Sequence, residues 1–227
     1  MTRKLRILLL LSMAAAVPQL SGCVGAVAVG AGAGALMVSD RRPSETYLSD
    51  QGIEIRAANR IDERFGDKAH VNVTSYNRAV LLTGEVPDAA ARAEVEKIVA
   101  AVPDVKAISN ELEIAGVSSL SARSNDSFIT SKVKGRFLDA NKFSVNAVKV
   151  VTENGVVYLL GIVSQAEADA AVEVARTTAG VRKVVRVFEI VSDTQAKKLD
   201  DPTSKPTQGG APAAAPAPAP APAPAKP

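Results

Sequence analysis

One stretch of this chain occurs twice, and the duplication constrains the fold more than any single motif. Val71 to Ile114 reads VNVTSYNRAVLLTGEVPDAAARAEVEKIVAAVPDVKAISNELEI. Val148 to Ile190 reads VKVVTENGVVYLLGIVSQAEADAAVEVARTTAGVRKVVRVFEI. The copies run at a constant offset: Val71 answers Val148, Asn77 answers Asn154, Leu82 answers Leu159 and Gly84 answers Gly161. One residue drops out near the helical part, after which Val105 answers Val181 and Ile114 answers Ile190. Two copies of one supersecondary unit imply tandem domains, since a solenoid needs about three repeats or more.

Each copy carries the same plan. Two β-branched, apolar runs flank Asn154-Gly155, the strongest short-range signal for a hairpin, because both turn residues need φ > 0. The first copy has Asn77-Arg78 there, a weaker signal. Gly84 and Gly161 are expected just past the second strand, at a bulge or turn. A helix follows, opened by Ser164 with Glu167 as a capping box and by Pro87-Asp88 in the first copy. Val95, Ile98, Val99 and Val102 fall on one face of it. Pro103 and Gly180 end the two helices, and a third strand runs to Ile114 or Ile190. Upstream, Ile53, Ala57, Ile61 and Phe65 share one helical face, as do Ile129, Val133 and Phe137.

The expectation is therefore an α+β protein with two tandem αββαβ domains. Each holds a three-stranded mixed sheet with two helices on one face. The expected boundaries are 51–115 and 126–191, with 116–125 as a serine-rich linker. Domains near 60 residues sit close to the lower limit for an independent core, so the copies are expected to pack tightly together.

The doubled core, NRAVLLTGEV and NGVVYLLGIV, together with the later GVRKV, resembles the BON domain family of bacterial envelope proteins. The first copy departs from the pattern with PDVKAI where the second has GVRKV. Combined with the N-terminus described next, the resemblance implies a dual-BON outer-membrane lipoprotein, linked to phospholipid binding, division, envelope stress and envelope integrity.

Arg3, Lys4 and Arg6 precede the apolar run Ile7 to Val17. A basic segment before a short apolar one reads as a secretory signal, here 1–22, and is too short to span a bilayer. It ends in Leu20-Ser21-Gly22-Cys23, which resembles the lipobox of bacterial lipoproteins. Cys23 is the only cysteine, so an intrachain disulfide is excluded. The resemblance makes its thiol the lipid attachment point, with palmitate-type acyl chains anchoring the mature protein. Lipoproteins kept at the inner membrane carry Asp after that cysteine; Val24 stands here instead, which implies the outer membrane, facing the periplasm. Residues 23–50 read as a Gly/Ala-rich tether and linker. Val24 to Val38 is either a plain tether or a small-residue stretch lying on the membrane or a partner. Residues 192–227 read as a disordered tail whose alternating Ala-Pro favours extended polyproline II. It is either a solubilising tail or a contact segment.

The twin units differ in charge. Eight cations face eleven anions between Ile53 and Ile114; nine face six between Phe128 and Ile190. The domains are thus expected to meet different partners. Nucleic acid does not fit an exported chain, and no feature points to a small-molecule substrate or a cofactor. His70 is the only histidine, so Ser-His and multi-histidine metal constellations lack their parts. No metal ligands and no catalytic residues are expected, and the chain reads as a non-enzyme.

Two function classes stand. In one, the second domain binds anionic phospholipid. In the other, the paired domains form an adaptor for an envelope protein. For the first, Phe128, Lys132, Gly135 and Arg136 follow i, i+4, i+7 and i+8 and share one helical face. An aromatic wedge beside two cations suits an interfacial helix. The alternative is that Phe128 packs into the domain interface and the cations only solvate a surface.

Overall fold

The computed structural model describes residues 40–201. The signal segment, Cys23, the Gly/Ala run and the Ala-Pro stretch lie outside the described residues. Among those described, no helix is long and apolar enough to cross a membrane.

The first domain runs α1 (Ser44–Phe65), β1 (His70–Tyr76), β2 (Ala79–Val86), α2 (Ala89–Ala100), β3 (Ala107–Asn110) and β4 (Glu113–Ile114). The second runs α3 (Leu120–Ala140), β5 (Val148–Glu153), β6 (Val156–Ser164), α4 (Gln165–Arg176), β7 (Lys183–Val191) and α5 (Asp193–Asp200). The central strand of each sheet pairs antiparallel with its hairpin partner and parallel with the strand after the helix. Both copies hold one register: Val71 opposes Gly84 and Val148 opposes Gly161. The third strand of the first domain breaks into β3 and β4, yet Glu111 N–H still donates to the Leu82 carbonyl across the break.

The glycines sit inside the central strands, not past them. A Cβ on Gly161 would stand 2.3 Å from the Ala147 carbonyl oxygen, and one on Gly84 would stand 2.0 Å from that of His70. Both glycines are there for close backbone approach where the first strand begins. The hairpins match as well. Asn77 and Arg78 take φ of 53° and 67°, and Asn154 and Gly155 take 48° and 71°. Arg78 thus adopts the left-handed conformation that the second copy gives to glycine.

What holds the first turn in that shape is a buried carboxylate on the preceding helix. Asp50 accepts from the N–H of Asn77 (2.8 Å) and of Arg78 (2.7 Å), and from the Ser75 hydroxyl (2.6 Å). Its repeat counterpart, Asp126, accepts from the N–H of Asn154 and of Gly155, both at 2.8 Å. The hairpin donors that no strand can satisfy are satisfied from the helix.

Side-chain alternation along the central strands builds three cores. Val80, Leu82 and Val86 face α1 and α2, where Ile53, Ala57, Ile61, Val95 and Val99 are buried. Val157, Leu159 and Val163 face Ile129, Val133, Phe137 and α4. Phe137 meets Phe143 edge-on at 5.0 Å between centroids, a pair worth about 1 kcal/mol beyond its area. The intervening residues Leu81, Tyr158, Leu160 and Ile162 join Tyr76 in a third cluster. The two sheets therefore pack through the faces that α1 to α4 leave open, with Leu199 of α5 against the same cluster. This explains why β2 and β6 are apolar without alternation: both faces are covered. Lys149 and Glu54 add an ion pair across the domains at 2.9 Å, worth about 1 kcal/mol or less at its partial exposure.

Three segments expected to be linker or tail are structured. Helix α3 starts at Leu120, inside the expected linker 116–125, with Ser119 as N-cap accepting from Ala122 N–H. Helix α1 starts at Ser44, inside the expected tether 23–50, right after Pro43. Helix α5 occupies the start of the expected disordered tail, capped by Ser192. Serine caps start α3 and α5, and buried polar anchors hold the segment ahead of α1, against a composition that reads as loop. The anchors of the first segment are Arg41 and Arg42. Arg41 reaches Glu167 and Asp200 of the second domain, whereas Arg42 pairs with Asp40 and Asp50 and lies 4.1 Å over the Tyr76 ring.

Candidate functional site

Helix α3 carries the predicted face on the outer side of the second domain, beside the buried stripe of Ile129, Val133 and Phe137. Phe128 is 62% exposed, so it does not pack into the domain interface. The Lys132 ammonium lies 4.8 Å from the Phe128 ring centroid. Gly135 has open space where a Cβ would be. The four predicted residues do share one side of the helix.

The cations also have structural work. Lys132 donates to the Ala179 carbonyl. Arg136 donates to the Val174 carbonyl at 3.1 Å and to the Thr178 hydroxyl at 3.0 Å. Both side chains thus satisfy carbonyls at and just beyond the C-terminal end of α4, where a helix leaves acceptors unpaired and favours positive charge. Each is only half-buried, so part of its charge still faces water.

Two further residues belong to this surface. Leu120 is 76% exposed and Leu138 is 65% exposed. With Ser124, Phe128, Ser131 and Gly135 they follow i, i+4, i+8, i+11, i+15 and i+18, a continuous stripe on a helix of period 3.6. Three large apolar side chains stand on this stripe, separated by small residues. Lys132 and Arg136 flank it on one side and the exposed Lys134 lies on the other. Sequence reasoning missed Leu120 because it fell in the expected linker. The equivalent helix α1 keeps cations at the matching positions, Arg56 and Arg60, but has Gly52 where α3 has Phe128 and Asp62 where α3 has Leu138.

A second cluster lies in the groove between the domains. His70 Nδ1 stands 3.1 Å from Glu85 Oε2. Glu153, from the second domain, accepts from Asn72 Nδ2 at 2.7 Å. Ring nitrogen and carboxylate oxygens of His70, Glu85 and Glu153 all lie within 4.8 Å of one another. Burial, the largest influence, raises the Glu153 carboxyl above the usual range, with Asn72 opposing. No local motif marks this group, since its members come from three strands.

A tandem pair of αββαβ units, packed sheet to sheet, defines a two-module α+β protein. The BON domain family model matches residues 49–116 and 125–192, and the chain belongs to the BON domain family. It is 36% identical over 172 residues to the outer membrane lipoprotein DolP of Haemophilus influenzae, covering 75% of this chain and 89% of that protein. It is 37% identical over 154 residues to a 21 kDa hemolysin of Actinobacillus pleuropneumoniae, covering 67% and 79%. The osmotically-inducible protein Y of Escherichia coli is 30% identical over 143 residues, covering 61% and 71%.

Proposed function

We propose that this chain is an outer-membrane lipoprotein, anchored through Cys23 and facing the periplasm, whose second BON domain binds anionic phospholipid and so supports envelope integrity. The observation that carries the reading is the exposed stripe Leu120–Phe128–Leu138 on α3 with its flanking cations. An aromatic and two leucines entering the acyl boundary, with lysine and arginine at headgroup level, combine apolar burial and electrostatic attraction. The relative named outer membrane lipoprotein DolP supports the location, as does the Leu-Ser-Gly-Cys quartet. In this reading the chain acts by docking and not by catalysis.

The test is flotation of the unlipidated chain with vesicles containing phosphatidylglycerol. Phe128→Glu is expected to abolish binding. Lys132→Glu reverses one charge; at about 1 kcal/mol per unit charge near an anionic surface, binding should weaken roughly 30-fold. Added salt should weaken the wild type. If both variants fold, by circular dichroism, and float as the wild type does, α3 is not the lipid face. Absence of wild-type binding at every lipid composition favours the adaptor reading, with an envelope protein as partner.

A further inference from the structure

The inter-domain groove contains a group of side chains that lipid docking does not use. Its volume is about 350 Å³, and His70, Asn72, Arg123, Asp126 and Glu153 line it. Two carboxylates from different domains, Glu153 of its lining and Glu85 next to it, are buried beside the one imidazole of the chain. Burying two like charges together is costly unless something positive compensates. The compensation visible among the described residues is thin. Ser118 N–H donates to Glu85 Oε2 at 3.2 Å, and Asn72 and the Thr83 hydroxyl donate to Glu153 Oε2 at 2.7 and 3.4 Å. These donors hold one oxygen of each carboxylate and leave Oε1 of each without a hydrogen bond among the described residues. Arg123 lines the same groove, but its guanidinium donates to the Ser118 carbonyl and forms no ion pair with either glutamate.

We propose that His70, Glu85 and Glu153 form a zinc site that ties the first BON domain to the second. One imidazole nitrogen and two carboxylate oxygens are a donor set that zinc accepts, and three protein ligands with one open position towards the groove match its preference for four-coordination. Bonds of about 2.0–2.2 Å place tetrahedral ligand atoms about 3.3 Å apart. The His70–Glu85 separation of 3.1 Å already meets this. The widest separation of the set, 4.8 Å at most, closes by a shift of roughly 1.5 Å, within reach of a glutamate rotamer change. Asn72 and Ser118 become the supporting shell that orients the carboxylates. Calcium and magnesium prefer six or more oxygens and are poorly served by this set. Since the ligands come from both domains, the metal acts as a cross-link between them.

The experiment uses the full chain in detergent without an added histidine tag, stripped with a chelator and titrated with zinc chloride near pH 7.5. One equivalent is expected to bind and to raise the thermal midpoint. Magnesium and calcium are expected to do neither at the same concentration. Because His70 is the only histidine, its imidazole ¹⁵N resonances report the site in the wild type with no substitution, and they should shift stoichiometrically with zinc. Glu153→Gln should weaken binding at least roughly tenfold, the smallest loss typical even of groups that merely support a ligand. In chelator its midpoint should equal or exceed the wild type, because a buried carboxylate has been neutralised. Absence of saturable binding overturns the proposal. So does saturable binding with unmoved His70 resonances, which places the zinc elsewhere, or unchanged affinity in Glu153→Gln.

Discussion

Replacing Arg41 tests whether the residues ahead of the first domain are part of the folded body. Arg41 is 2% exposed. Its guanidinium donates to Glu167 at 2.7 and 2.8 Å, to Asp200 at 2.6 and 2.8 Å, and to the Ile162 carbonyl at 2.8 Å. Arg41→Met keeps much of the apolar stem and removes the fork. A hydrogen bond involving a charged group contributes about 1.5–3 kcal/mol, and an unpaired buried carboxylate adds to the loss. Asp200 is 39% exposed and regains water, whereas Glu167 at 17% regains little, so the Asp200 half is largely discounted. The expected loss is about 2–3 kcal/mol, or roughly 5–10 °C for a folded body of this size. Urea is the suitable denaturant, since guanidinium would screen the charges under test. Hydrogen exchange should show α5 opening first, because Asp200 sits at its end. The pH dependence supplies a second check. Arg41, through its hydrogen bonds, holds the Glu167 carboxyl below the usual carboxylate range. A depressed carboxyl contributes stability that is complete above the unfolded value of about 4.3 and is lost as pH falls through the folded value. The gap between wild type and Arg41→Met should therefore be constant from pH 5 to 7 and narrow below about pH 4. A variant that melts within about 1 °C of the wild type, or a gap that is unchanged at pH 3, would refute this account.

Two other outcomes follow from single residues. Arg78→Gly should stabilise the chain by about 1 kcal/mol, because it gives the first hairpin the residue its left-handed turn position favours; the urea midpoint reads it. Cys23→Ala should lose the lipid mass and leave the outer-membrane fraction on cell fractionation; retention there at lipidated mass would show that the anchor lies elsewhere.

The repeat made the αββαβ order, the shared helical faces and the Ser164 capping box legible, because each depends on neighbours a few residues apart. Less legible were features built over long separations. Asp50 and Asp126 act on turns nearly thirty residues downstream. In sequence each is one more acid near a helix. Gly84 and Gly161 lie inside the strand and not at the bulge or turn expected just past it, because the constraint is a backbone passing beside the strand. The face centred on Phe128 was visible from helical spacing, but its full length was hidden by a serine-rich start that looked like linker. The His70 cluster had no local signal at all, since Glu85 and Glu153 are brought to it only by sheet pairing and domain packing.

The packing also decides where a partner is able to bind. The sheet faces that α1 to α4 leave open are consumed by Tyr76, Leu81, Tyr158, Leu160 and Ile162. Among the described residues, what remains for recognition is the helical layers and the groove rims. These layers derive from one repeat but no longer present the same chemistry. On α1 the exposed Leu48 and Ile55 stand on a helix that bears Glu45, Asp62 and Glu63 but also the exposed Arg56, Arg60 and Arg64. On α3 the exposed Leu120, Phe128 and Leu138 stand beside Lys132, Lys134 and Arg136. What separates the two helices is the apolar stripe, since Gly52 and Asp62 of α1 stand where α3 has Phe128 and Leu138. Duplication followed by sheet-to-sheet docking thus leaves two helical layers that share a backbone plan and differ in their exposed side chains.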